Sequence, residues 1–119
     1  MPILDVEVVL KPEERLRAGL AGEIADAAGE ILGSEPGGTW VKLRELQREQ
    51  YAENGGGPPE GVWPVFVEVL KGELPEGEEM RKEAGRLGTE IGRICGRPQE
   101  NVHILYLPVG AGRIFFGGS

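Results

Sequence analysis

Proline is the second residue of this sequence and directly precedes a strand-like run, "MPILDVEVVL". A small second residue favours removal of Met1, which would leave the ring nitrogen of Pro2 as a free secondary amine. A terminal amine has a reference pKa of about 8, and enclosure among apolar side chains would lower it because burial disfavours the charged form. Pro2 is therefore a candidate general base that could remove a proton from a carbon next to a carbonyl group.

Such a base needs a cation or a hydrogen-bond donor that stabilises the enolate oxygen. Lys42 and Arg44 lie in the strand-like stretch "TWVKLREL" and could supply that group. They share one face of the predicted strand with Trp40 if Val41 and Leu43 point to the core. Two interpretations stay open for both cations: substrate binding, or ion pairing with acidic residues of the first strand inside a subunit interface.

The elements that position these residues form a strand, a helix and a strand. Residues 4–10 alternate apolar and acidic side chains with the two-residue period of a half-buried strand. Between residues 12 and 32, apolar side chains recur three or four residues apart, which predicts a helix that opens at Pro12 and ends at Gly33. The stretch "TWVKLREL" then completes a βαβ unit.

The same pattern occurs again about 62 residues further on, after the Gly/Pro-rich stretch "AENGGGPPEG". The second unit comprises the strand "PVFVEVLKG", a helix over residues 76–95 that ends at Gly96, and the strand "NVHILYLP". The tail "GRIFFGG" is expected to add a short strand or hairpin. The pattern predicts one domain over residues 1–119, with a first βαβ unit at 1–55 and a second at 62–119.

These units predict an α+β fold in which two consecutive βαβ units form a four-stranded mixed sheet with both helices on one face. The other face is mixed in polarity and contains aromatic residues, so we expect other subunits to cover it. Closing exposed strand edges between copies around an axis favours a homotrimer.

Composition excludes several classes of function. The chain has 20 acidic and 13 basic residues, and its net charge of −7 disfavours binding to nucleic acids or anionic membrane surfaces. Its one cysteine, Cys95, cannot form an intramolecular disulfide, and with a single histidine it cannot build a typical zinc site. We therefore expect a cytoplasmic protein with no metal, no cofactor and no membrane-spanning or targeting segment.

Three features of this chain, taken together, resemble the tautomerase superfamily. They are Met-Pro before a strand, two βαβ units in a chain of this length, and a Gly-Gly turn that closes each half. This superfamily includes 4-oxalocrotonate tautomerase and macrophage migration inhibitory factor. The resemblance covers nearly the whole chain and is clearest in "WVKLREL…YAENGGG" and "HILYLPVGAGRIFFGG". It implies trimers of the two-unit chain and an amino-terminal proline that acts as catalytic base or acid.

The resemblance also implies a set of site residues. It makes Pro2 the catalytic base and places the aromatic ring of Tyr51 close to it. Trp40 and His103 occupy matching positions in the two halves, where family members carry Arg or Tyr groups that line a pocket across a subunit boundary. For His103, a hydrogen-bonded role in the interface is the alternative. We expect Phe115 to help enclose the proline.

The expected arginine is absent at Trp40, so the substrate-binding cation must lie elsewhere. Lys42 and Arg44 are the predicted substrate-binding cations, and Lys11 and Lys71 at the ends of the leading strands are the alternatives.

The predicted function is that of a cofactor-independent keto-enol tautomerase acting on small 2-keto or 2-hydroxy unsaturated carboxylic acids. One alternative is a hydratase, dehalogenase or decarboxylase of the same superfamily, with water activated by Glu45 or Glu53. The other is a non-catalytic trimeric binding protein in which Pro2 is only structural.

Overall fold

Four strands and two helices form within residues 2–119, the part of the chain that the computed structural model describes. The predicted removal of Met1 concerns a residue outside this part. The main elements are β1 (Ile3–Val9), α1 (Leu20–Leu32), β2 (Trp40–Leu46), β3 (Val65–Leu70), α2 (Gly77–Cys95) and β4 (Val102–Tyr106). Within the same residues, no helix is both long and apolar enough to cross a membrane.

The strands form one sheet in the order β2-β1-β3-β4. β1 is parallel to β2, and β3 is parallel to β4, as crossover helices require. The two βαβ units join through the antiparallel pair β1 and β3. This arrangement confirms the predicted mixed sheet and fold class.

The core lies between the sheet and the two helices. Leu4 and Val6 of β1 alternate with half-exposed acidic residues and are fully buried, as the two-residue period predicts. Ile24 of α1 and Ile91 of α2 are also fully buried and belong to the same apolar cluster. The three-to-four-residue spacing of the helices therefore directs one stripe of each onto one face of the sheet.

Helix α1 is shorter than the sequence pattern predicts. Gly19 has a φ angle of 86°, in the left-handed region, so the helix cannot extend back through it and begins at Leu20. Residues 12–19 are irregular, and the predicted start at Pro12 is wrong. The predicted helix ends are confirmed, because Gly33 and Gly96 both adopt left-handed C-cap conformations.

The predicted strand or hairpin in the tail is also wrong. Phe116–Gly118 form a short 3-10 turn instead. Gly117 and Gly118 have φ angles of 67° and 79°, which an extended strand does not allow.

A buried guanidinium ties the two units together. The side chain of Arg97 is 1% exposed and pairs with both carboxylate oxygens of Glu14, at 2.7 and 2.9 Å. It also donates to the backbone oxygens of Val9 at 2.9 Å, Cys95 at 3.1 Å and Trp63 at 3.1 Å. Its N–H donors therefore connect the end of β1, the irregular segment before α1, the residue ahead of Pro64 and the end of α2.

Glu14→Gln should lower the free energy of unfolding at pH 7 by about 2 kcal/mol, because it leaves a buried guanidinium without its counter-charge while its carbonyl acceptors remain. The hydrogen bond from Arg97 holds the pKa of Glu14 below its ordinary value of 4.5. The carboxylate therefore contributes stability above that value, and the contribution is lost as the pH falls through the lowered pKa. Urea unfolding at about pH 7 and about pH 3 should show the difference between wild type and variant shrinking in acid.

The matched control is Glu90→Gln, which removes a carboxylate paired with Arg93 on the exposed side of α2. This control should unfold at the same urea concentration as wild type. An equal loss of stability in both variants would contradict the role assigned to the buried pair.

Candidate active site

Strand pairing places Pro2 at one end of the sheet. The backbone N–H of Trp40 donates to the carbonyl oxygen of Pro2 at 3.0 Å. The next residue, Ile3, pairs with Trp40 in β2 and with Leu70 in β3. Because β1 and β3 run antiparallel, Pro2 and Lys71 both lie just beyond the Ile3–Leu70 pair, at the same end of the sheet. Pro2 is buried there.

A polar cluster of Lys71, Glu83 and Tyr106 occupies the same end of the sheet. The ammonium of Lys71 lies 2.9 Å from one carboxylate oxygen of Glu83, and the Tyr106 hydroxyl donates to the other at 2.7 Å. The side chains of Lys71 and Glu83 are only 15% and 14% exposed. Burial and the hydrogen bond to Glu83 raise the pKa of Tyr106, so its hydroxyl remains a protonated donor at neutral pH.

Each member of this cluster is positioned by a regular element. Val69 pairs with Tyr106 in the parallel β3–β4 ladder, so Tyr106 reaches the end of the sheet where β3 stops. Glu83 lies one helical turn before the buried Leu87 and therefore faces the sheet. The sequence signal for Glu83 is an acidic residue at a position on the apolar stripe of α2.

The carboxy-terminal tail covers the neighbouring surface. The ring of Phe116 meets the ring of Trp40 edge to face, with centroids 5.3 Å apart. The N–H of Gly110 donates to the carbonyl oxygen of Lys71 at 2.7 Å. The aromatic contact to Trp40 is thus made by Phe116, whereas the side chain of Phe115 is 65% exposed.

The predicted cations Lys42 and Arg44 lie on the helix-free face of the sheet and are paired. Lys42 is 3.4 Å from one carboxylate oxygen of Asp5, and Arg44 is 2.9 Å from the other and 3.7 Å from Glu7. Within this chain both therefore show the ion-pairing arrangement rather than a position beside Pro2. Pairs this exposed contribute little to stability.

Tyr51 and His103 lie toward the opposite end of the sheet. The ring of Phe66 is 5.7 Å from that of Tyr51 and 5.4 Å from that of His103, and Phe66 pairs with Glu7 in β1. Glu7 is five residues beyond Pro2, which corresponds to about 17 Å along a strand. A single chain therefore does not bring Tyr51 or His103 to its own proline.

The two acidic residues predicted to activate water are also engaged elsewhere. Glu45 accepts a hydrogen bond from the backbone N–H of Leu16 at 3.0 Å. Glu53 accepts one from the hydroxyl of Tyr51 at 2.6 Å, and this bond raises the pKa of Tyr51 to about 12. Residues 2–119 contain no group of three or more side chains placed to hold a metal ion.

No model of a known protein family matches the chain, and no curated protein matches its sequence. Solved structures share its fold. The macrophage migration inhibitory factor from Trichinella spiralis superimposes with a TM-score of 0.72 at 14% identity, over 98% of this chain and 97% of that one. A malonate semialdehyde decarboxylase inhibited by 3-bromopropiolate gives a TM-score of 0.71 at 16% identity, over 98% and 91%.

A fused 4-OT described as a symmetric trimer gives a TM-score of 0.65 at 14% identity, over 90% of this chain and 85% of that one. These proteins are members of the tautomerase superfamily. The chain therefore has the tautomerase fold, and the resemblance drawn from the sequence is confirmed at the level of the fold.

The two tyrosines of the chain should lose their hydroxyl protons at a higher pH than an ordinary tyrosine does. Ultraviolet absorbance of tyrosinate is expected to rise little at about pH 10, where an ordinary tyrosine is half ionised. Glu83→Gln should shift the titration of Tyr106 to lower pH and leave that of Tyr51 unchanged, and Glu53→Gln should do the reverse. Far-ultraviolet circular dichroism at each pH checks that the chain is folded, and a normal titration of both tyrosines would contradict the hydrogen bonds described.

Proposed function

We propose that the protein is a cofactor-independent keto-enol tautomerase of small 2-keto or 2-hydroxy unsaturated carboxylic acids, with Pro2 as its general base. The observation that carries this proposal is the position of Pro2, buried at the start of β1 and at the same end of the sheet as the Lys71–Glu83–Tyr106 cluster. Burial favours the neutral amine, and a base that is unprotonated at neutral pH can accept a proton from carbon.

The reaction conserves all atoms and electrons. The nitrogen of Pro2 takes a proton from the carbon next to the carbonyl group, and the C–H electron pair forms a carbon–carbon double bond. The carbonyl electron pair moves to oxygen and gives an enolate. Return of the proton to that oxygen yields the enol, and the reverse sequence yields the ketone.

Lys71 is a partly buried cation that lies at the same end of the sheet as Pro2. An ammonium group has three N–H donors, so the contact with Glu83 leaves donors for a substrate carboxylate or enolate oxygen. Such donors stabilise the charge that develops on oxygen when the proton leaves carbon. Lys71, one of the two alternatives raised from the sequence, thus becomes the first choice for the substrate-binding cation.

The other predicted site residues differ in whether one chain alone brings them to Pro2. Tyr51 and His103 could approach Pro2 only across a boundary between copies of the chain. Lys42 and Arg44 are ion-paired with Asp5 within one chain. Trp40 lies at the same end of its own sheet as Pro2. A homotrimer supports such a shared site, and the fused 4-OT structure is a trimer. The edge strands β2 and β4 and the 56% exposed side chain of Leu105 provide surfaces for this assembly.

A decarboxylase among the structural neighbours keeps one alternative open, and a non-catalytic binding trimer is the other. Water activation by Glu45 or Glu53 is less favoured, because both carboxylates are hydrogen-bonded away from Pro2. Assays with an enol and with a 3-oxo acid distinguish tautomerisation from decarboxylation.

Activity on phenylenolpyruvate should rise with pH through one ionisation below the ordinary pKa of a terminal amine, because only the neutral amine is a base. Protein that retains Met1 should be inactive, since an amide nitrogen is not basic. Pro2→Ala should keep partial activity through its primary amine. Intact mass establishes which form is assayed, and equal turnover by processed and Met1-retaining protein would refute the role of Pro2.

Sedimentation equilibrium should give three times the 12.8 kDa mass of one chain. If His103 serves the proline of a neighbour, trimers mixed from Met1-retaining subunits and processed His103→Ala subunits should be more active than the average of the two parents. In the control mixture, both changes are combined in one chain. That chain supplies neither a free Pro2 amine nor a His103 to its neighbour, so no gain over the average of the parents is expected. A single 12.8 kDa species at micromolar concentration would rule out the shared site.

A further inference from the structure

We propose that Glu83, fixed by Tyr106, neutralises Lys71 and restricts the site at Pro2 to substrates that carry one carboxylate. This inference rests on the proposed function, because it assigns the substrate class of the same site. It makes Lys71 the anchor for that carboxylate and Glu83 a residue that determines specificity and positions Lys71.

The first step of the argument is that Glu83 is held at both of its oxygens. One oxygen lies 2.9 Å from the ammonium of Lys71, and the other accepts the hydroxyl of Tyr106 at 2.7 Å. A carboxylate held from two sides has little freedom to turn away when a ligand enters. Its negative charge therefore remains beside Lys71 in the loaded site.

The second step concerns burial. The side chains of Lys71 and Glu83 are 15% and 14% exposed, so water screens their charges less than it screens the surface pairs of the helix-free face. On that face the side chains of Lys42 and Arg44 are 63% and 53% exposed. Within one chain, the electrostatic preference at the end of the sheet that carries Pro2 is accordingly set more by Lys71 and Glu83 than by the exposed cations.

The third step is charge balance. Lys71 and Glu83 together carry no net charge, so a substrate with one carboxylate can use the free donors of Lys71 and leaves the site with one negative charge. A second carboxylate on a small substrate would lie close to Glu83 and raise the cost of binding through like-charge repulsion. The cluster thus favours monocarboxylates over dicarboxylates of the same size.

Crotonate and fumarate test this selectivity, because they share a four-carbon skeleton and differ by one carboxylate. Their dissociation constants should be measured by calorimetry on the processed trimer. Wild type should bind crotonate at least as tightly as fumarate. Glu83→Gln should shift the ratio of the two constants toward fumarate by about tenfold, because the fixed negative charge is gone.

Glu79→Gln is the matched control. Glu79 lies one turn earlier on α2, is 75% exposed and pairs with Lys82, so this variant changes the net charge of the protein equally without touching the cluster. The ratio of its crotonate and fumarate dissociation constants should stay within about twofold of the wild-type ratio. An equal shift in both variants, or none in Glu83→Gln, would overturn the proposal, as would wild type that binds fumarate more tightly or binds neither acid.

Tyr106→Phe keeps the experiment decisive if Glu83→Gln does not fold. This variant retains the charges of Lys71 and Glu83 and removes one hydrogen bond that fixes the carboxylate. Because the freed carboxylate can turn away from an entering ligand, the ratio of the two dissociation constants should shift toward fumarate by about threefold, less than in Glu83→Gln. An unchanged ratio in folded Tyr106→Phe would overturn the proposal, because Glu83 would then not act through this contact.

The binding measurements also separate this inference from the proposed function. Crotonate and fumarate are not keto-enol substrates, so their binding reports selectivity without requiring proton transfer by Pro2. Loss of the predicted ratio in a protein that tautomerises phenylenolpyruvate would refute the specificity assigned to Glu83 alone. The predicted ratio in a protein whose activity does not depend on Pro2 would refute the catalytic proposal alone.

Discussion

The antiparallel pairing of β1 with β3 is the constraint on which the rest of the structure depends. Each βαβ unit has an internally parallel pair of strands, and only this central pairing makes a single four-stranded sheet from the two units. Its direction also determines which residues meet. The start of β1 must lie beside the end of β3, so Pro2 comes to the same end of the sheet as Lys71 and, through β4, Tyr106.

Two largely buried ion pairs differ in what they do: one joins the two units, and the other lies within the second unit. Arg97 is almost completely buried, and its guanidinium is bound by Glu14 and by backbone carbonyl groups from both halves. The N–H groups of Arg97 that point at these partners all form hydrogen bonds within the chain, which suits a structural role. Lys71, in contrast, keeps donors beyond its contact with Glu83 and is more exposed, which suits a group that also meets a ligand.

The division of the sheet into two ends explains the proposed assembly. One end carries Pro2 and the buried polar cluster, and the other carries the aromatic group of Tyr51, Phe66 and His103. A single chain holds these two sets apart by the length of a strand. A site that uses both must therefore be completed by another copy of the chain, and exposed edge strands give the copies a means of pairing.

The sequence by itself determined the elements of this protein. Period-two alternation marked β1, apolar spacing marked the helices, and Gly33 and Gly96 marked the helix ends, because each of these signals depends on neighbouring residues. It missed the late start of α1, which the left-handed backbone of Gly19 imposes. Only the tertiary structure decided that Glu83 meets Lys71 and Tyr106 at the end of the sheet that carries Pro2. That meeting depends on strand direction and on hydrogen bonds between residues far apart in the chain, which local periodicity does not encode.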